Sequence, residues 1–203
     1  MQPKPDTTNH ENKGLSTLLL RPLAASDEEQ ATQAQEEFAK EDFDFLFLQD
    51  GESWPVYLER VERLRQGVDL PEDRVAATFL VAEAEGQVVG RVSIRHELND
   101  YLTQFGGHIG YGVRSGFRRR GYATEILRQS LRVASALGLR RVLLTCDTDN
   151  VGSATVIESC GGVLENILPG SDGSVGTCRY WIEIRQAGSG PSGMPGQRRP
   201  RAR

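Results

Sequence analysis

The chain is 203 residues long, 38% hydrophobic and 26% charged, which is the size of one ordinary domain with enough apolar material for a core, though slightly lean. Its formal net charge of −4 excludes a uniformly basic, histone-like protein, but so small a total can hide local blocks of opposite sign. No run of apolar residues is long enough for a transmembrane helix, and the polar start Met1-Gln-Pro-Lys-Pro-Asp6 lacks the apolar stretch of a secretory signal.

Residues 1–14 are polar and Pro-bearing, and nothing in them can bury a face. The end of the chain, residues 186–203, is a Gly/Ser/Pro-rich, basic tail. Both are expected to be disordered, leaving a folded body over 15–185. Leu15–Arg21 reads as a strand stopped by Pro22, and Ser26 with Asp27, Glu28 and Glu29 after it reads as the capped start of a helix reaching Lys40. The stretch Asp42-Phe-Asp-Phe-Leu-Phe-Leu48 is expected to be irregular. A second helix is placed near Pro55 to Gln66, stopping at Gly67.

Thr78–Ala82 and Gln87–Ile94 form a hairpin around Glu85-Gly86, and Gly107–Arg114 is a further strand. Tyr122–Leu137 is an amphipathic helix with Ile126, Leu127, Leu131, Ala134 and Leu137 on one stripe, closed by Gly138. Arg141–Cys146 is a buried-type strand, and Asn150–Cys160 a short helix. Two last strands, Val163–Leu168 and Thr177–Ile184, flank a Pro-Gly-Ser-Asp-Gly turn. The order β-α-α-β-β-β-α-β-α-β-β defines a mixed α/β domain.

Charge is unevenly spread. Ser26 to Asp73 holds 15 acids against 4 bases, a net −11, and Arg114 to Arg141 holds 8 arginines against Glu125 alone, a net +7. Such blocks are either solvated helix faces or a basic site for an anion beside an acidic site for a cation. The three cysteines, Cys146, Cys160 and Cys178, are odd in number and lack metal-ligand spacing. They read as free thiols of a reducing cytoplasm, and no metal is expected.

The most informative segment runs from Gly107 to Thr124. A strand ends at Val113, three consecutive arginines follow, and Gly121 opens the amphipathic helix. The first amides of a helix have no partner within it and lie at the positive end of its dipole, so they attract an anion. Gly121 lets backbone approach a phosphate, Ala123 keeps the next turn small, and the arginines add charged donors. Neither a P-loop nor a dinucleotide fingerprint is present.

Arg118-Arg-Arg-Gly121-Tyr-Ala123 resembles the (Arg/Gln)-x-x-Gly-x-(Gly/Ala) loop of the GNAT N-acetyltransferase superfamily. The strand before the loop, the helix after it, and Asn150-Val-Gly-Ser153 opening the next helix fit that pattern as well. Ile94 to Tyr101 and Gly106 to Gly112 are similar to a branch of uncharacterised acetyltransferases. The resemblance implies a single GNAT domain with a central mixed twisted sheet of about seven strands flanked by about four helices. It also implies acetyl-CoA as co-substrate. The backbone of Tyr111, Gly112 and Val113 would pair with the pantetheine arm. Amides from Arg118, Arg119, Arg120, Gly121, Tyr122, Ala123 and Thr124 would hold the pyrophosphate. Asn150 and Ser153 would lie by the thiol end, where two central parallel strands splay apart. Direct attack of a neutral amine on the thioester is the implied chemistry.

The chain departs from that pattern at the acid and the base. Where many relatives have a Tyr acid seven residues after the helix-opening Asn, this chain has Ile157. Where several relatives carry a Glu or His as general base on the strand before the loop, it has Gly107, and where others use a Glu on the following strand, it has Thr145. His108, next to Gly107, is a candidate base acting through water or a structural histidine. His96, with Glu97, Asn99 and Asp100, either lines the acceptor site or caps a strand end. Asp147 and Asp149 read as helix caps, Cys146 and Cys160 as apolar fillers. Arg114 and Arg119 are phosphate ligands or solvent-facing charges, and Phe43, Phe45 and Phe47 wall a pocket or edge a core.

The reading is therefore an acetyl-CoA-dependent N-acetyltransferase in the cytoplasm, with an amine acceptor, small molecule or peptide. The acidic segment favours a cationic acceptor. A CoA-binding regulatory module that has lost transfer is the alternative. No membrane partner is expected, the acidic first half argues against nucleic acid, and the superfamily's frequent dimers leave room for a homodimer.

Overall fold

The computed structural model describes residues 17–41, 43–170 and 175–184; the expected disordered ends, Leu15, Ser16 and most of the Pro-Gly-Ser-Asp-Gly turn lie outside them. The first strand, β1, spans Leu19–Arg21 and ends before Pro22, which has no N–H to continue a ladder. A 3-10 turn, Ala25–Asp27, leads into α1, Glu28–Ala39. The cap differs from expectation. Ser26 makes no capping bond; buried Asp27 instead accepts from the Ala24 amide at 2.8 Å and from both Nη atoms of Arg21. A carboxylate outcompetes a hydroxyl here because it can also receive a guanidinium fork.

Helix α2, Trp54–Gln66, has Pro55 in its first turn and stops at Gly67, whose φ of 71° needs no Cβ. Then β2, Ala77–Ala84, and β3, Gln87–Arg95, form the expected hairpin. Glu85 and Gly86 both have positive φ in its turn, the twist that a two-residue hairpin loop requires. One turn of π-helix, Leu102–Gly106, precedes β4, Ile109–Val113. Helix α3 covers Tyr122–Ala136, β5 Arg141–Asp147, α4 Val151–Ser159, β6 Val163–Leu168 and β7 Thr177–Glu183.

The seven strands divide into two sheets, β1-β2-β3-β4 and β5-β7-β6, and every ladder within them is antiparallel. A central sheet of seven strands is therefore present as two halves that meet between β4 and β5. His108 lies against Leu143, and Tyr111, three residues on, lies beside Cys146, three on from Leu143. The two strands thus advance in one direction, as the α3 crossover demands.

Two cores sandwich the first sheet. On one face Ile126, Leu127 and Ala134 of α3 and Ile157 of α4 pack on Val92, Ile94, Ile109, Leu144 and Tyr180. Each fully buried Leu or Ile there stabilises by about 1.5–3 kcal/mol. Leu137, expected on the buried stripe, is 40% exposed, since the helix has ended at Ala136. On the other face α1, α2 and the Phe43–Leu46 stretch pack on Phe79, Val81 and Val88. The acidic-aromatic stretch is irregular as expected, yet Phe45 and Leu46 are fully buried. Strand alternation then sends Val92 and Ile94 of β3 toward α3, and Arg91, Ser93 and Arg95 toward α1 and α2.

Candidate functional site

The strands β4 and β5 touch at one end. The His108 amide donates to the Leu143 carbonyl at 2.7 Å, and the Leu143 amide donates to His108 Nδ1 at 3.0 Å. Beyond that point no ladder joins them, so the two sheets form a fork. Gly107 makes the closure possible: its φ is 61°, and a Cβ would stand 2.6 Å from the Leu143 carbonyl oxygen. Arg95 and Arg114 amides donate to and across β3 and β4 at His108 and Val89. By antiparallel alternation Gly110, Gly112 and Arg114 turn their peptide groups to β3, as does the His108 carbonyl, whereas Tyr111 and Val113 turn theirs into the fork. Of the three residues expected to offer backbone to a pantetheine arm, Gly112 is thus occupied by its neighbour strand. Its missing side chain makes room for Phe43 and Phe38, about 3 Å from where a Cβ would be.

The fork leads to the loop before α3. Arg119 (φ 64°) and Gly121 (φ 81°) are both left-handed, the backbone curl that turns amides inward around an anion. For Arg119 the conformation costs about 1–2 kcal/mol, and such strain gathers at functional sites. The first helical bond of α3 runs from the Glu125 amide to the Gly121 carbonyl, so the amides of Tyr122, Ala123 and Thr124 have no helical acceptor. Arg118, Arg119, Arg120 and Gly121 are exposed. The Arg118 side chain is committed elsewhere: Nε donates to the Val113 carbonyl at 2.9 Å, and Nη2 meets Glu41. Arg114, instead of facing solvent, is buried and forks onto Glu37, holding the Glu37 carboxyl below its usual range.

On the far side of the fork Asn150 caps α4, accepting the Ser153 amide at 3.0 Å. Tyr111 reaches toward this turn. Its hydroxyl is buried and makes no hydrogen bond of good geometry, although Ser153 stands beside it; burial pushes its pKa up to about 12. An orphaned hydroxyl at the fork, next to an anion-curling loop, fits a polar ligand threaded between the strands. Cys146 and Cys160, nearby, are kept protonated by burial, Cys146 with a pKa of about 11.

Both candidate histidines are held by hydrogen bonds within the fold. His108 is 7% exposed, and burial, then Arg95 and Arg141, lower its pKa to about 4. With Nδ1 accepting from Leu143, the neutral ring carries its proton on Nε2. His96 pairs with Thr78 through Nε2 at 2.9 Å, past the end of β3 and beyond the closed end of the fork. Thr145 donates to the Phe105 carbonyl at 2.7 Å, and Ile157 is in the core. A cavity of about 970 Å³ lies behind α3 against the second sheet, lined by Leu131, Arg141, Val163 and Trp181. Among the described residues no cluster of His, Cys, Asp and Glu could hold a metal, and no helix is long and apolar enough to cross a membrane.

Sequence reasoning missed Arg91 and Arg95. Arg91 is 2% exposed, wrapped by the rings of Phe43, Phe47 and Phe79, and donates to the Gly110 and Asp44 carbonyls at 3.1 and 2.8 Å. Arg95 donates to the Gly106 and Gly107 carbonyls. The alternation of β3 marked both as sharing a face, but only the fold shows that the face is covered.

A strand-lined fork running from a closed end to a curled anion loop on α3 defines an acyltransferase-type domain. The family model described as "Acetyltransferase (GNAT) domain" matches residues 17–163, and the chain belongs to that family. The solved structure of Mycobacterium smegmatis RimJ in complex with CoA-disulfide is 21% identical, with 83% of each chain covered and a TM-score of 0.61. The Microcin C7 self immunity acetyltransferase MccE, solved with acetyl-CoA and AMP, is 20% identical over 82% of this chain and 92% of its own, with a TM-score of 0.58. An N-acetyltransferase from Staphylococcus aureus Mu50 is 16% identical over 84% and 100%, with a TM-score of 0.58. At these identities the likeness is one of fold. No curated protein matches the chain.

Proposed function

We propose that the protein is an acetyl-CoA-dependent N-acetyltransferase that moves the acetyl group to an amine by direct attack. The observation that carries the reading is the open β4 edge at Tyr111 and the Val113 amide, followed across one 3-10 turn, Ser115–Phe117, by the curled Arg118–Gly121 loop and the unpaired first amides of α3. Fold relatives solved with acetyl-CoA or a CoA disulfide support the cofactor.

In this reading the peptide groups of Tyr111 and the amide of Val113 align the pantetheine arm as a further strand would, the Val113 carbonyl being held by Arg118. Amides from Gly121 to Thr124 receive the pyrophosphate, with Arg119 and Arg120 as additional donors. Asn150 keeps α4 in place and Ser153 lines the sulfur end. The neutral amine nitrogen forms a C–N bond to the thioester carbonyl, the C–S bond breaks with its electron pair on sulfur, and the proton lost by nitrogen ends on the thiol. The chain's contribution is position and an ordered polar wall. His108 serves as the rivet at the closed end, and water accepts the amine's proton, since both histidines are already engaged.

The test joins binding and turnover. Acetyl-CoA should raise the melting temperature of the wild type by several degrees and leave Gly121→Asp unshifted, because a carboxylate then faces the diphosphate. Free thiol should be released when an amine is added. No shift in the wild type overturns the cofactor assignment. A shift with no thiol release from any amine points to the non-catalytic CoA-binding module, which the absence of an acid at Ile157 favours.

A further inference from the structure

The face of β3 beneath α1 and α2 holds a second, unassigned charge constellation. Arg91 and Arg95 lie on it two strand-pairs apart, with Ser93 between them. Arg91 is enclosed by three phenylalanine rings, its Nε has no hydrogen-bond partner, and its two engaged nitrogens meet only carbonyls. Arg95 is half-buried and likewise bonded only to carbonyls, those of Gly106 and Gly107. Among the described residues neither forms an ion pair with a carboxylate, although Arg21, Arg60, Arg114 and Arg118 all do. Burying one guanidinium without a counter-charge is costly, and burying two near each other is more so. Desolvation and Arg95 hold the Arg91 guanidinium at about 9, and desolvation lowers Arg95 as well.

Their position links them to the fork. Arg91 Nη1 donates to the carbonyl of Gly110, and the Arg95 guanidinium crosses Gly110 so closely that a Cβ there would stand 3.2 Å from Nη1. Gly110 is on β4, one residue before Tyr111. Beside Arg95 lies an exposed aromatic pair, Tyr101 and Phe105, with ring centroids 5.8 Å apart and side chains 66% and 46% exposed by residue. A cation without a counter-ion, next to apolar rings and a few ångströms from the β4 edge, is suited to the carboxylate of a small amine.

Part of the acidic segment that favoured a cationic acceptor is engaged within the fold. Asp27, Glu37, Glu41, Glu52 and Glu62 are each paired with an arginine. These five of the fifteen acids in the segment are thus held by arginines, whereas Arg91 and Arg95 have no carboxylate partner among the described residues.

We infer that the acceptor is a primary amine that also carries a carboxylate, of the amino-acid type, with Arg95 receiving the carboxylate and Arg91 supporting the positive field behind it. The inference rests on the acetyl-transfer reading, and it deepens it by naming the acceptor's second functional group. No covalent step beyond that transfer is involved.

The experiment compares matched pairs: free L-amino acids, β-alanine and 4-aminobutyrate against the corresponding carboxamides, each with acetyl-CoA and the full-length chain, scored by thiol release. The expected result is a kcat/KM at least tenfold higher for the acid than for its amide in the best pair. Arg95→Gln should bring that ratio to near one by raising KM for the acid, with the acetyl-CoA melting shift unchanged, and Arg95→Lys should restore part of it. Amides used as well as or better than acids overturn the inference, as does an undiminished ratio in Arg95→Gln. No release from either series while acetyl-CoA still stabilises the protein also overturns it. If acetyl-CoA itself gives no shift, the transferase reading has failed first. The wild-type ratio stands even if the variants do not fold.

Discussion

Lowering the pH should weaken the joint between the two sheets through a single side chain, His108. Its neutral ring accepts the Leu143 amide and is 7% exposed, with a pKa lowered from 6.5 to about 4. The unfolded chain takes up the proton near 6.5, the folded one only near 4. The contribution is therefore complete above pH 6.5 and is lost as pH falls through the window from 6.5 to 4. Each unit inside the window removes up to about 1.4 kcal/mol. Between pH 7 and pH 5 the loss comes to about 1–2 kcal/mol, the lower figure allowing for the ring's remaining solvent contact. His108→Asn supplies the comparison, because its Oδ1 can accept the same amide at a similar reach but does not titrate. Urea unfolding of both proteins at pH 7 and pH 5, followed by fluorescence of Trp54 and Trp181, reads the difference. His96 is present in both and cancels. The variant should lose about 1–2 kcal/mol less than the wild type on acidification. Equal losses in the two proteins would refute the argument that the fork is pinned by a neutral histidine.

Two further expectations concern the same fork. Tyr111→Phe removes a buried hydroxyl that makes no hydrogen bond of good geometry, although Ser153 stands beside it, so the free protein should keep its stability or gain up to about 1 kcal/mol, while the acetyl-CoA melting shift shrinks; a destabilised free protein would mean that Ser153 already satisfies the hydroxyl. Gly107→Ala should cost more than about 2 kcal/mol, since the added Cβ meets a backbone carbonyl at 2.6 Å in a left-handed conformation, whereas Gly51→Ala, also left-handed (φ 72°) but in open space, should cost only about 1 kcal/mol. Thermal denaturation of the two variants side by side checks the contrast, and equal costs would count against a close β4–β5 approach.

Much of this was legible in the residues because the signals were local. Glu85-Gly86 between two β-branched runs announces a hairpin, the stripe Ile126, Leu127, Ala134 announces α3, and Gly121 after three arginines announces an anion loop. What escaped depends on long-range partners. The ion pairs Glu37–Arg114 and Glu41–Arg118 each join residues 77 positions apart, and no periodicity encodes them. The same is true of Arg91, whose alternation on β3 was visible but whose enclosure comes from Phe43, Phe47 and Phe79 on two separate segments. Ser26 was a reasonable cap by residue type; it lost to Asp27 because Arg21, at the end of a neighbouring strand, rewards a carboxylate.

The contact between Glu41 and Arg118 has a bearing on selectivity. Arg118 is already neutralised at the mouth of the loop, and among the described residues Arg119 and Arg120 form no ion pair. An incoming anion must displace a tethered carboxylate to gain the third arginine. A small monovalent ion gains too little from the exchange, whereas a diphosphate, with several oxygens for the curled amides and for the arginines together, offsets the loss. If the loop receives a diphosphate as proposed, Glu41 competes with it for Arg118, which raises the threshold for occupying the loop and leaves it to ligands rich in charge.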